Sequence, residues 1–302
     1  MKKAISLIFW VSIFTIVYIY RNDITTYVVD NYIYKREIEI PDSNEYKRNY
    51  DFQLVQNTTN FYPNNKQELY NVFYTILNNG YEEFTFYCGK EYEDCVNDVS
   101  NLTNSDNQTL AVINNLVHPF NSYNKININM NNLGRINVKI EKLYNSSDIA
   151  LIDKEVNTIY NQIIKNDMTI YQKIKAAHDY IINNTIYDKT WVDSTNKAGK
   201  SNTAYGPLFN HKALCGGYTD LMELFLEKLN VKSYKIASDN HIWNFVYVNN
   251  TWRHIDLTWD DPVTNTGKDI LQYEYYILDT NTLESKKDNE HNYNKDLYIE
   301  AK

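Results

Sequence analysis

The stretch His241–Asp260, HIWNFVYVNNTWRHIDLTWD, decides how the chain is read. Two apolar, aromatic runs fold back on Asn249-Asn250 with the alternation of a β-hairpin, yet a His and an Asp sit among the aromatics. With a two-residue turn Val248 faces Thr251, Asp256 faces Trp243 and His241 faces Thr258. His241 and Asp256 then project to one side, a diagonal step of ~7–8 Å at the backbone that an imidazole and a carboxylate bridge. A four-residue loop keeps this register; a three-residue loop spoils it. Ile242, Val246, Val248, Ile255, Leu257 and Trp259 fall on the other side as the core face, leaving the polar pair a face of its own.

A His held by a carboxylate is a base in need of a nucleophile. Cys215 supplies one in ALCGGYTDLMELFLEKLNV, where Leu221, Met222, Phe225, Leu226 and Leu229 form a helical stripe and Asp220, Glu223, Glu227 and Lys228 fill the other side. At a helix start the dipole and the unpaired amides lower a thiol's pKa and can hold an oxyanion, and Gly216-Gly217 leave room for a substrate backbone. A free Cys taken alone reads as an inert buried thiol; the helix start, the glycine pair and the downstream His and Asp favour a functional one. His254 shares the face of Asp256 and is the rival base, although a partly buried strand histidine accounts for it. His178 reads as a core hydrogen-bonding group, and His118, His211 and His291 as surface or loop residues. Trp243, Trp252 and Trp259 read first as packing.

LCGGY on a helix start followed by HIWNFVYVNNTWRHIDLTWDDP resembles the transglutaminase-like superfamily, with its Cys-Gly-Tyr helix, His-x-Trp-Asn strand and Asp-x-Thr-Trp strand. AHDYIINNTIYD, AYGPLF and QYEYYILD extend the likeness, which resembles exported bacterial members and covers roughly Asp148 to Asp279. The resemblance implies an α+β fold with a papain-like transglutaminase core, a thiol-bearing helix packed on an antiparallel sheet. It implies Cys215 as nucleophile, His241 as general base and acid, and Asp256 as the residue orienting the imidazole. Tyr205 and Trp191 are candidates for the side chain that helps bind the oxyanion; Gly216, Trp243 and Asn244 are further oxyanion or substrate candidates. The implied reaction attacks an amide through a thioester and needs no cofactor. A surface module that keeps the fold but binds rather than cuts is the alternative, since fold alone does not establish activity.

The 302 residues carry a net charge of −8 and 28 Tyr. No clustered Lys and Arg offers a footprint for phosphates, which excludes a nucleic-acid partner. Ala4–Tyr20, AISLIFWVSIFTIVYIY, is uncharged and flanked by Lys2-Lys3 and Arg21. It reads as a transmembrane anchor over residues 1–22 with a cytoplasmic N-terminus and an extracellular remainder; a cleaved signal peptide competes, without a small-x-small cleavage site. Residues 23–60 read as a stalk or linker, 61–146 as a small N-terminal α/β domain with two short helices between Glu91 and Val117, and 147–302 as the catalytic domain. Export favours pairing Cys88 with Cys95 and leaving Cys215 free; two buried thiols are the other reading. No CxxC or HExxH accompanies them, so no metal site is read. Outside the cell a peptide or protein amide substrate, including cell-wall peptide, is expected.

Overall fold

The computed structural model describes residues 2–28, 32, 38–89, 91–190, 200–263 and 270–302. Helix α1 (Lys2–Ile19) is followed by α2 (Arg21–Val28); from Phe9 to Val28 the side chains are exposed except for the half-buried Ile13, with Phe14 and Tyr18 among the exposed apolar residues. Among the described residues no helix is long and apolar enough to cross a membrane, so the expected spanning anchor is not found among them. The uncharged run Ala4–Tyr20 reaches only about 25 Å, short of a hydrocarbon core of about 30 Å, before Arg21 ends it.

Helix α3 (Lys66–Asn78), capped by the Asn65 side chain, packs its Leu69, Val72, Phe73 and Ile76 face on a three-stranded antiparallel sheet. The sheet is built from β1 (Glu83–Tyr87), β2 (Tyr123–Met130) and β3 (Arg135–Lys142) in the order β1-β3-β2. The two short helices expected after β1 are α4 (Cys95–Leu102) and α5 (Thr109–Asn115). Cys88 and Cys95 are joined as a disulfide that ties β1 to α4, and Cys215 is the free thiol.

The second half begins with two amphipathic helices. In α6 (Ser146–Ile163) Ile152, Val156 and Ile159 are buried, and the Asn145 side chain caps the helix by accepting from the Asp148 amide. Helix α7 (Ile170–Asn183) starts with a capping box between Thr169 and Gln172. After a parallel pair of two-residue strands, β4 (Ile186–Tyr187) and β5 (Lys212–Ala213), comes α8 (Cys215–Lys228). It packs on a second antiparallel sheet of β6 (Ser233–Ala237), β7 (Ile242–Val248) and β8 (Thr251–Ile255), in sequence order.

This sheet is buried on both faces. Val246, Val248 and Ile255 pack with α6, α7 and α8, as the hairpin register requires. Trp243 and Phe245, on the face assigned to the polar pair alone, join Tyr234 and Ile236 in one core with Phe52, Phe73, Phe86 and Val138 from the first half. Residues 61–146 therefore share their core with the β6-β7-β8 sheet instead of enclosing one of their own. The segment read as a stalk enters that core as well. Phe52, Leu54 and Val55 are buried, and the Arg48 guanidinium meets Glu223 at 2.5 Å and Glu227 at 2.6 Å on α8. No local signal marks Arg48, because its partners lie some 175 residues further on.

The polar side of α8 is likewise enclosed. Asp220 takes Lys235 at 2.8 Å and the Tyr144 hydroxyl at 2.6 Å, and Glu223 accepts from Arg48, Ser233 and Asn244. A helix surrounded on all sides keeps its charges by pairing them.

Candidate active site

The hairpin forms in the expected register, with Val248 opposite Thr251 and Asn244 opposite Ile255. Asn249 and Asn250 take φ of 49° and 59°, the left-handed pair that a two-residue turn matching the strand twist demands. The ladder stops one residue short of Asp256. That residue instead caps α9 (Leu257–Asp260), its Oδ1 accepting from the amides of Thr258 at 2.9 Å and Trp259 at 3.3 Å. Thr258 and Trp259 thus lie in a helical turn and not in the strand.

Capping leaves Oδ2 of Asp256 free to turn toward His241, whose Nε2 lies 2.5 Å away. The other imidazole nitrogen, Nδ1, is left for the Cys215 thiol, which lines the same cleft and is near enough to act on the ring's protonation. His241 precedes β7 and is anchored by its amide to Ser238 Oγ at 3.2 Å, with Trp243 stacked against its ring at 5.7 Å. Burial favours the neutral ring, but the Asp256 charge and hydrogen bond, with the thiol beside it, override this and raise the His241 pKa to about 10. Burial also favours a neutral Asp256, and the hydrogen-bonded His241 outweighs it, holding the carboxyl well below its usual range.

Cys215 is half-buried, at the first turn of α8, on a cleft of about 410 Å³. Tyr187, Thr258, Trp259, Asp261 and Glu290 line the cleft with Cys215 and His241. Tyr218 donates to Asp261 at 2.5 Å, and Trp259 Nε1 donates to Glu290 at 3.2 Å. Thr258 Oγ1 is buried without a hydrogen-bond partner among the described residues. Tyr187, not singled out in the sequence, lies close enough to the thiol for its own pKa to be raised, by burial first and then by Cys215.

The other candidates are placed elsewhere. Tyr205 packs on Phe209 with the Lys200 ammonium over its ring, outside the cleft. Trp243 is 1% exposed, behind His241, and Asn244 faces the interior, donating to Thr219 O and Glu223. Trp191 lies outside the described residues. The glycine pair serves packing rather than substrate access: a Cβ on Gly216 would lie 2.3 Å from Asn202 Oδ1, and one on Gly217 2.3 Å from the Ser201 carbonyl oxygen. Because that last contact is backbone, Gly217→Ala is expected to cost about 1–3 kcal/mol in chemical denaturation, and an unchanged midpoint would contradict this packing.

His254, the rival base, accepts from Trp243 Nε1 at 3.0 Å and meets Thr280 Oγ1 at 3.2 Å. Burial, reinforced by His291, depresses its pKa to about 3, so it stays neutral, and it is not among the residues lining the Cys215 cleft. His178 is fully buried between Asp179 and Asp260, each at 3.1 Å.

His291 departs most from its surface or loop assignment. It is buried, with Nε2 2.9 Å from the same Asp256 oxygen that takes His241 and Nδ1 2.7 Å from Asp288. His241, Asp256 and His291 bring one donor atom each within 4.8 Å of the others. Both imidazole nitrogens facing Asp256 lie within hydrogen-bond distance of one oxygen, which joins the three side chains in a hydrogen-bonded relay. The only sequence trace of this arrangement is the Asp288-x-x-His291 spacing.

A thiol on a helix start, an imidazole and a carboxylate thus meet where that helix packs against an antiparallel sheet. No family model matches the chain, and no curated protein matches it. Among solved structures it is similar to a protein described as a TGase, at 15% identity and a TM-score of 0.34 over 45% of this chain and 44% of that one. It is also similar to a proposed cysteine protease from Cytophaga hutchinsonii, at 13% identity and a TM-score of 0.28 over 49% of this chain and 65% of that one. The chain spans less than two thirds of the length of each.

Proposed function

We propose that the protein is a cysteine enzyme of the transglutaminase-like type that acts on amide bonds through a thioester. The observation that carries this reading is the His241 ring held between Asp256 and the Cys215 thiol at the edge of an open cleft. Cys215 gives its proton to His241 and its sulfur adds to the amide carbonyl. The tetrahedral intermediate expels the amine, which takes that proton from the imidazolium. Water or a second amine then adds to the thioester, returning a proton through His241, and the sulfur leaves with the acid or the new amide formed. The α8 amides at Cys215 are the nearest donors for the oxyanion.

A peptide or protein amide, including cell-wall peptide, is the proposed substrate. Export and attachment to a membrane through α1 belong to the same proposal. They are supported by the disulfide, a bond that persists in oxidising compartments, and by the exposed apolar side chains of α1.

The test is labelling of the purified protein with a thiol-directed acylating probe at neutral pH. The label is expected on Cys215, absent in Cys215→Ala and slowed by about 10²-fold or more in His241→Ala. Equal labelling of His241→Ala and the parent protein would refute the couple.

A further inference from the structure

The pair His291 and Asp288 is unused by the mechanism above, yet it touches the site's carboxylate. His291 lies six residues beyond the end of α10 (Thr280–Ser285) and 35 residues after Asp256, and its side chain is 2% exposed. Tyr275 stacks on its ring at 5.0 Å, while Trp243, Trp259 and His241 meet it edge-on at 4.7, 5.3 and 5.3 Å. Asp288 Oδ1 accepts from both His291 Nδ1 at 2.7 Å and the His291 amide at 2.9 Å, which fixes the ring's rotation. Both ring nitrogens face carboxylate oxygens, which only accept, so the ring donates on both sides.

We propose that His291, clamped by Asp288, is a positioning residue that shares the Asp256 carboxylate with His241, holds that carboxylate in the plane of the reacting imidazole and offsets part of its charge. The row Cys215, His241, Asp256, His291, Asp288 is then one hydrogen-bonded chain closed by the C-terminal segment.

Two effects follow. Without His291 the Asp256 oxygen has a single ring donor and more freedom to turn, so the imidazole loses alignment with the thiol. Without the positive His291 ring, Asp256 attracts the His241 proton more strongly. The groups facing these two rings are Cys215, Asp256, Asp288, Tyr275 and His254, with Asp260 behind Asp256. His291 is the second imidazole on the Asp256 oxygen, and because it lies outside the β7-β8 hairpin its removal leaves the hairpin in place.

This inference rests on the proposed Cys215–His241 couple. In the full chain, His291→Gln keeps an N–H toward Asp256 without the charge, and His291→Phe keeps the ring volume with neither. The measurements are the alkylation rate of Cys215 by iodoacetamide at neutral pH and the midpoint of His241 protonation by NMR of ring-labelled histidine. His291→Phe is expected to be alkylated about tenfold more slowly and His291→Gln within about threefold of the parent, the usual scale for a group that orients a reacting side chain. In both, the His241 midpoint is expected to move to higher pH. Equal loss in both variants with an unmoved midpoint would reduce His291 to a packing residue, and parent-like rates with an unmoved midpoint would overturn the proposal outright. If His291→Phe fails to fold, the His291→Gln midpoint alone decides. A parent protein whose alkylation ignores His241→Ala would count against the couple itself, a result separate from any of these.

Discussion

Asp256→Asn is expected to slow acylation of Cys215 by about 10³–10⁴-fold, the scale seen when an orienting carboxylate is made neutral in a nucleophile–imidazole–acid triad. Asp256 accepts at both oxygens: Oδ1 takes the Thr258 and Trp259 amides, and Oδ2 takes His241 and His291. An asparagine has one oxygen for these two sides. If its carbonyl caps α9, its NH₂ confronts two ring N–H groups, and His241 relieves the clash by placing its proton on Nδ1, where it can no longer receive one from sulfur. If its carbonyl turns to the rings, the helix cap is lost and two amides face a donor, at a cost of about 1–3 kcal/mol for each group left unpaired. The release of p-nitrophenol from an activated ester, followed in stopped flow, distinguishes variant from parent. A rate within a few fold of the parent would mean that Asp256 does not orient the imidazole.

The second large effect is on stability. Arg48→Met removes the cation from a Glu223 carboxylate that is 0% exposed, leaving a buried charge whose remaining partners are Ser233 and Asn244. Breaking such a pair costs about 3–5 kcal/mol. The variant is expected to unfold at correspondingly lower denaturant, and the double change Arg48→Met with Glu223→Gln to recover part of the loss. Gln keeps an oxygen for the Ser233 and Asn244 donors but carries no charge to strand. Urea titrations of the parent and both variants measure this, and a loss under about 1 kcal/mol in Arg48→Met would show that water reaches Glu223.

The parts of the site that depend on local chemistry were readable in advance. The period-2 hairpin, its Asn-Asn turn and the helix beginning at Cys215 each rest on a signal a few residues long, and together they set Cys215, His241 and Asp256 side by side. What escaped depends on distance along the chain. Arg48 and His291 have ordinary neighbours in sequence and acquire meaning only from Glu223 and Asp256, which tertiary packing brings to them. The glycines misled for a related reason: a missing Cβ signals close approach without saying by what, and here it is the 201–203 loop that approaches. Trp243 and Asn244 point to opposite sides of their strand: the first half of the chain covers Trp243, and α8 takes Asn244 through Thr219 and Glu223.

That covering has a practical side. Since Trp243 and Phe245 press against Phe52, Phe73 and Val138, a fragment trimmed to residues 147–302 would carry a raw hydrophobic wound directly behind its reactive ring. The half that carries Cys215, His241 and Asp256 is thus no cassette to be lifted into another scaffold: its neighbour serves as a fixed backrest.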